Sequence, residues 1–309
     1  MHRLGIALGA GGARGWCHVG VLRELHRMGV EPDVVAGCSM GALVGAAWAG
    51  DKLDELETWG RALTQGKFLK YMDFSINRGG LVEGKAVMRV LQELGLPERI
   101  EDLPRPFLAV ACDMATGREV WLREGNLAEA VRASVSIPGV FSPVKVRGRW
   151  LLDGGIINPV PTSATRALGA TCTIAVNPDL PKDGVMWEPQ TPTQGLWGRM
   201  SATLPGLPPP APREPVPAYG EVVSVSIGIM MEFMRKAREA ADPPDLTLSG
   251  DLLHISVLEL YRAAEAIRLG TDMVENARDR ISAMAGMSRP LLEDATTANP
   301  TPMAHLAAE

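Results

Sequence analysis

Ser39 stands at the centre of Gly37-Cys38-Ser39-Met40-Gly41, two residues from a glycine on either side. That spacing suits a nucleophile elbow, a strand-to-helix turn that exposes a serine hydroxyl at a strained apex. The flanking glycines let neighbouring backbones pass closely. The pattern alone also describes a glycine-rich loop that happens to hold a serine, so its flanks decide. Val34 to Ala36 is an apolar run that reads as a buried strand, and the small residues from Gly41 to Ala49 read as a helix packed tightly on a sheet. The N-terminal end of that helix would be directed at the hydroxyl.

A serine hydroxyl is a poor nucleophile until a base takes its proton, and the usual base is histidine. Of the five histidines, His2 is terminal, His18 and His26 share an early helix, His254 follows the turn Ser249-Gly250-Asp251, and His305 lies in a polar tail. Only His254 or His305 satisfies the Ser, acid, His order of an α/β-hydrolase, and His254 reads more simply as a partly exposed residue opening a late helix. Asp153-Gly154-Gly155 offers a carboxylate instead. Asp-Gly is first a turn signal, yet the strand before it, Arg149 to Leu152, would deliver the carboxylate at the rim of the core. These residues alone leave the turn and the catalytic role open.

Gly9-Ala10-Gly11-Gly12-Ala13-Arg14-Gly15 is the other candidate. As a dinucleotide fingerprint it fails, because Ala10 holds the first glycine position and no acidic residue closes the second strand. As a P-loop it fails because Trp16 stands where lysine is required. Two readings remain, a tight strand-to-helix turn and a cradle of backbone N–H groups for a developing oxyanion.

The elements that must position these residues begin with the strand Leu4 to Leu8, the glycine loop, the helix Trp16 to Met28 and the strand that ends at Ser39. A right-handed βαβ crossover makes the two strands parallel neighbours, with their loops at one carboxyl edge of an α/β sheet. Later strands are expected at Phe107 to Ala111, Glu119 to Leu122, Arg149 to Leu152 and Thr171 to Val176. Helices are expected at Asp51 to Leu69, Glu83 to Leu94, Leu127 to Ser134, Thr162 to Leu168, Tyr219 to Glu239 and Leu253 to Ala285. Met230, Met231 and Met234 read as core filling. Eleven prolines between Pro178 and Pro217 argue against regular structure there.

With 46% hydrophobic residues among 309, a large core is available. Lys and Arg number 31 against 36 Asp and Glu, a net charge of −5 with no like-charged block, which argues against a nucleic-acid partner. Cys17, Cys38, Cys112 and Cys172 are far apart and form no C-x-x-C, so neither structural zinc nor a disulfide framework is expected and a reducing compartment fits. No secretion signal is expected from the residues before the first strand, and the longest apolar stretch is about half what a membrane span needs.

Gly11-Gly12-Ala13-Arg14-Gly15, Gly37-Cys38-Ser39-Met40-Gly41, Ser136-Ile137-Pro138-Gly139 and Asp153-Gly154-Gly155, in that order, resemble the patatin-like phospholipases, in particular small bacterial members. The likeness runs from about Leu4 to Val176. It implies a three-layer α/β/α fold with a mostly parallel sheet, and a Ser–Asp dyad in place of a triad. Carried over by position, Ser39 would be the nucleophile and Asp153 its base. The N–H groups of Gly11 and Gly12, joined by that of Met40, would form the oxyanion hole. Arg14 would stabilise its loop or neighbour a phosphate, with Gly37, Gly41, Gly154 and Gly155 supporting the turns. The implied activity is acyl transfer from a phospholipid, lysophospholipid or simple ester, with no cofactor and no metal. The alternative is a non-catalytic regulatory or membrane-binding module with the same fold. The expected organisation is a catalytic core at 1–177, a proline-rich insertion at 178–218, C-terminal helices at 219–286 and a tail at 287–309. The expected location is cytoplasmic, at most peripheral to a membrane surface.

Overall fold

The computed structural model describes residues 3–67, 84–179, 217 and 219–288. Nearly all of the proline-rich segment, the start of the helix expected at Glu83 and the end of the chain from 289 lie outside the described residues.

Among the described residues eight strands form one sheet: β1 (Leu4–Leu8), β2 (Val34–Cys38), β3 (Phe107–Asp113), β4 (Glu119–Leu122), β5 (Val144–Val146), β6 (Arg149–Asp153), β7 (Cys172–Asn177) and β8 (Leu246–Ser249). The hydrogen-bonded path runs β5–β6–β3–β2–β1–β7–β8, and β4 also pairs β3. From β3 through β2, β1 and β7 to β8 every pairing is parallel, whereas β4, β5 and β6 pair antiparallel. Every residue of β2, β3 and β7 is buried, which is why these strands read as continuous apolar runs.

Helices cover both faces. They are α1 (Cys17–Arg27), α2 (Met40–Ala49), α3 (Leu53–Arg61), α4 (Lys85–Glu93), α5 (Leu127–Ser134), α6 (Thr162–Ala167), α7 (Tyr219–Ala241), α8 (Ala263–Asn276) and α9 (Arg278–Ser288). Side chains alternate along a strand. Ile6, Leu8, Val35 and Ala109 therefore join the large core under α1, α2 and α8, while Ala36, Cys38, Leu108 and Val110 face Ala164 of α6 and Met231 of α7. The result is the expected α/β architecture with three layers.

The register of β3 places the site. Ala109 and Val110 pair with both β2 and β4, so those two strands lie on opposite edges of β3. Ala111 and Cys112 pair with both β4 and β6, so β6 shares the β2 edge. Along that edge the last β2 pair is Cys38 with Val110, and the first β6 pair is Asp153 with Ala111. The chain therefore leaves the edge just after Cys38, and β6 occupies the place it vacates.

Several expectations need correction. The late helical region does not start at Leu253: a single 3-10 turn, Leu260–Arg262, leads into α8. Before it, the carbonyls of Ile255 and Val257 accept bonds from Arg14 Nε and the Ala13 N–H, which takes them out of any helical ladder. The helix expected from Asp51 to Leu69 is interrupted: α3 ends at Arg61, residues 65–67 are helical again, and 68–69 lie outside the described residues. Met230 is exposed rather than core-filling, while Met231 beside it packs toward the sheet. The edge strand β8 was not foreseen; its four residues are too short for their alternation to stand out.

Candidate active site

Ser39 caps α2 at φ 55° and ψ −123°, a left-handed conformation that a serine adopts only under constraint. Glycine is required on both sides of it. A Cβ at Gly37 would overlap the Gly41 carbonyl, and one at Gly41 would overlap the carbonyl of Leu8 at the end of β1. Gly15 plays the same part for the glycine loop, where a Cβ would come within 2.6 Å of Met40 Cβ.

The Ser39 hydroxyl donates to Asp153 Oδ2 at 2.6 Å, and both residues are buried. Asp153 is fixed at four points. Its N–H donates to the Ser136 carbonyl at 3.0 Å, and its Oδ1 accepts the Gly155 N–H at 2.7 Å and the Cys38 thiol at 3.8 Å. The fourth is the bond from Ser39. Gly154 lies so close to the Val110 carbonyl that a Cβ there would overlap it, so the tight backbone after Asp153 is a packing requirement. Burial pushes the Asp153 carboxyl up to about 6, and the bonds from Ser39, Gly155 and Cys38 act the other way. A carboxylate held there is a competent general base near neutrality.

Among the described residues, the N–H groups of Gly11, Gly12 and Met40 have no hydrogen-bond acceptor. Free N–H donors beside a serine hydroxyl, one of them at the start of α2, are an arrangement that could hold an oxyanion. Gly12 and Met40 border the same cavity as Ser39; Gly11 is not in its lining. Gly11 instead backs onto Pro178 and Asp179. Arg14 ties the loop down, with Nε on the Ile255 carbonyl at 2.7 Å and Nη1 on Asp179 at 2.8 Å.

Ser39 borders an open cavity whose empty space, its mouth and the solvent there included, is about 910 Å³. Trp16, Leu43, Trp59 and Val90 line its core side, Ile137 and Phe141 a second wall, and Val257, Leu258 and Leu260 a third. Apart from Ser39 every lining side chain is apolar or absent. The third wall escaped sequence reasoning, since nothing in the spacing of Val257 to Leu260 points toward Ser39.

The histidines are elsewhere. His18 is buried with its Nε2–H donated to the Gly9 carbonyl at 2.8 Å, and burial pushes its pKa down to about 4. His254 bonds Glu265 at 2.9 Å in an exposed position. Ser39 Oγ is bonded to the carboxylate of Asp153, which leaves the His254 triad without support.

An elbow serine on a carboxylate, beside an apolar cavity at the carboxyl edge of an α/β sheet, places the chain in the class of α/β folds built around a nucleophile-elbow turn. Residues 6–166 match the family model for patatin-like phospholipase, and the chain belongs to that family. An uncharacterized NTE family protein of Mycobacterium tuberculosis is 42% identical over 175 residues, 57% of this chain and 49% of that protein. A patatin-like phospholipase domain-containing protein of Caenorhabditis elegans is 30% identical over 241 residues, 76% of this chain and 18% of that protein. Neuropathy target esterase sws of Drosophila melanogaster is 30% identical over 181 residues, 56% of this chain and 13% of that protein. The chain thus spans about half the length of the mycobacterial relative and under a fifth of the two animal ones.

Proposed function

We propose that the chain is a serine lipid acyl hydrolase working through a Ser39–Asp153 dyad and an acyl-enzyme intermediate. The observation that carries this is the 2.6 Å bond from Ser39 Oγ to Asp153 Oδ2 at the wall of an apolar cavity. Ser39 attacks the ester carbonyl as Asp153 takes its proton, and the N–H groups of Met40, Gly12 and Gly11 hold the oxyanion. Asp153 then passes the proton to the leaving alcohol, and the cycle repeats with water as nucleophile to release the fatty acid. The apolar lining favours an acyl chain over a charged head group, so the head group stays toward the mouth.

On this reading residues 1–177 carry the chemistry, and the helices at 219–286 complete the domain. The substrate meets the enzyme at a membrane or micelle surface, and the protein works in the cytoplasm or at the membrane edge. Among the described residues no helix is long and apolar enough to cross a membrane.

The test is labelling by a fluorophosphonate together with fatty-acid release from phospholipid, lysophospholipid and p-nitrophenyl esters. Wild type should label and hydrolyse, Ser39→Ala should do neither, and Asp153→Asn should lose most of both. A folded wild type that does neither supports the alternative of a non-catalytic binding module. If Asp153→Asn keeps most of its activity, the dyad is wrong.

A further inference from the structure

The parallel ladder of β2 on β3 has a two-residue period, and its rung at Val35 is the bond from that N–H to the Pro106 carbonyl at 3.1 Å. Two rungs on, the same ladder requires the Ser39 N–H to reach the Val110 carbonyl. It does not, because Ser39 has turned off the sheet at φ 55°. Both groups are buried, and each would cost free energy if left unpaired.

One hydroxyl fills the gap. Ser134, the last residue of α5, is fully buried; its Oγ accepts the Ser39 N–H at 2.9 Å and donates to the Val110 carbonyl at 2.6 Å. The missing rung is thus rebuilt with one oxygen atom inserted into it. Two residues along the same segment, the Ser136 carbonyl accepts the Asp153 N–H at 3.0 Å. Ser136 is itself held by Arg132, whose Nη1 donates to Ser136 Oγ at 2.8 Å. The segment from Ser134 to Ser136 therefore grips the backbone of Ser39 at one end and of Asp153 at the other.

We infer that Ser134 is a positioning residue for the reaction: its hydroxyl bridge lets Ser39 leave the sheet and fixes the distance from Ser39 Oγ to Asp153. The role rests on the reading of Ser39 as nucleophile, and it needs a hydroxyl at this position rather than a small side chain alone.

The experiment compares wild type, Ser134→Ala and Ser134→Thr, all checked for cooperative thermal unfolding. Kinetics use a soluble p-nitrophenyl ester, labelling uses a fluorophosphonate, and hydrogen exchange follows the peptide containing the Ser39 amide. In Ser134→Ala, kcat and the labelling rate should fall about ten- to a hundredfold with KM within about twofold, the signature of a misplaced reacting group. Ser134→Thr, which keeps the hydroxyl, should recover most of the loss. The acid limb of the Ser134→Ala rate profile should move to higher pH, because a Ser39 hydroxyl drawn away from Asp153 no longer favours the carboxylate. Exchange at the Ser39 amide should accelerate at least tenfold. A folded Ser134→Ala enzyme with wild-type kcat and pH profile overturns the inference, even if it melts earlier. A wild type that neither labels nor hydrolyses overturns the hydrolase reading, and the positioning role with it; exchange then still reports whether the bridge exists.

Discussion

At the scale of single residues, Asp153 carries a conflict between stability and function. Its carboxyl is pushed up to about 6 from 3.8 by burial, so the folded protein prefers it protonated. The stabilising preference is complete below the unfolded value near pH 4 and is lost as pH rises through about 6, because the unfolded chain releases this proton more readily. Above that, holding the buried charge costs about 3 kcal/mol at most, at about 1.4 kcal/mol per pH unit. As the base of the proposed dyad, however, Asp153 works only when charged. For wild type, kcat/KM should therefore rise with an apparent pKa near 6, whereas Asp153→Asn should be inactive throughout and more stable than wild type at pH 8. Its advantage should shrink by about pH 4.5. Urea titrations at the two pH values read this directly, and an equal advantage at both would show that burial of the charge is not the cause. Ser39 shows a similar conflict in its backbone, where a left-handed φ stores about 1–3 kcal/mol of strain that surrounding bonds must offset.

At the scale of elements, close backbone approach decides where glycine is needed, and this is also what made the site legible. Gly37, Gly41 and Gly154 sit where any Cβ would meet a carbonyl, so their spacing around Ser39 and Asp153 reports the turns themselves. Ser134 left no such trace, because a serine ending a helix looks like many others until the gap in the β2–β3 ladder is seen. The same glycine logic appears where α1 crosses α8. A Cβ on Gly20 would overlap the Ile267 carbonyl, and one on Gly270 would overlap that of Cys17, so each helix presses a glycine against the other's backbone. Gly20 passed unnoticed in sequence because it lies inside a helical pattern whose apolar period is carried by Val19, Leu22 and Leu25. Gly20→Ala should separate the two helices and cost at least about 2 kcal/mol by overpacking. Arg268→Ala, at an exposed position on α8, should stay within about 0.5 kcal/mol. Urea unfolding of the two variants measures the contrast, and a Gly20→Ala protein as stable as wild type would mean that the crossing tolerates a wider spacing.

At the scale of the whole molecule, the stretch that matches the family model does not build the cavity alone. The match ends at residue 166, yet β7 pairs the central strand β1, β8 pairs β7, and Val257, Leu258 and Leu260 close one wall. Bonds from the Ala13 N–H to Val257 and from Arg14 to Ile255 tie that late segment to the glycine loop, so the loop and the cavity wall are set together. Sequence reasoning found the turns that carry Ser39 and Asp153, where local chemistry leaves a signal, and missed the third wall, which depends on contacts some 240 residues apart in the chain. Within the cavity, Leu43 lies one helical turn beyond Ser39, its N–H bonded to the Ser39 carbonyl at 3.3 Å. On the proposed function, a bulky side chain there blocks the path of an acyl chain without touching Ser39 or Asp153. Leu43→Trp should therefore keep labelling by a small fluorophosphonate and hydrolysis of p-nitrophenyl acetate within about threefold, while kcat/KM for the laurate ester falls at least about thirtyfold, which is about 2 kcal/mol of lost transition-state binding. Equal losses on the two esters would mean that the substitution disturbs the elbow itself. An unchanged laurate rate would mean that the acyl chain leaves Ser39 by another route, over the Ile137 and Phe141 wall.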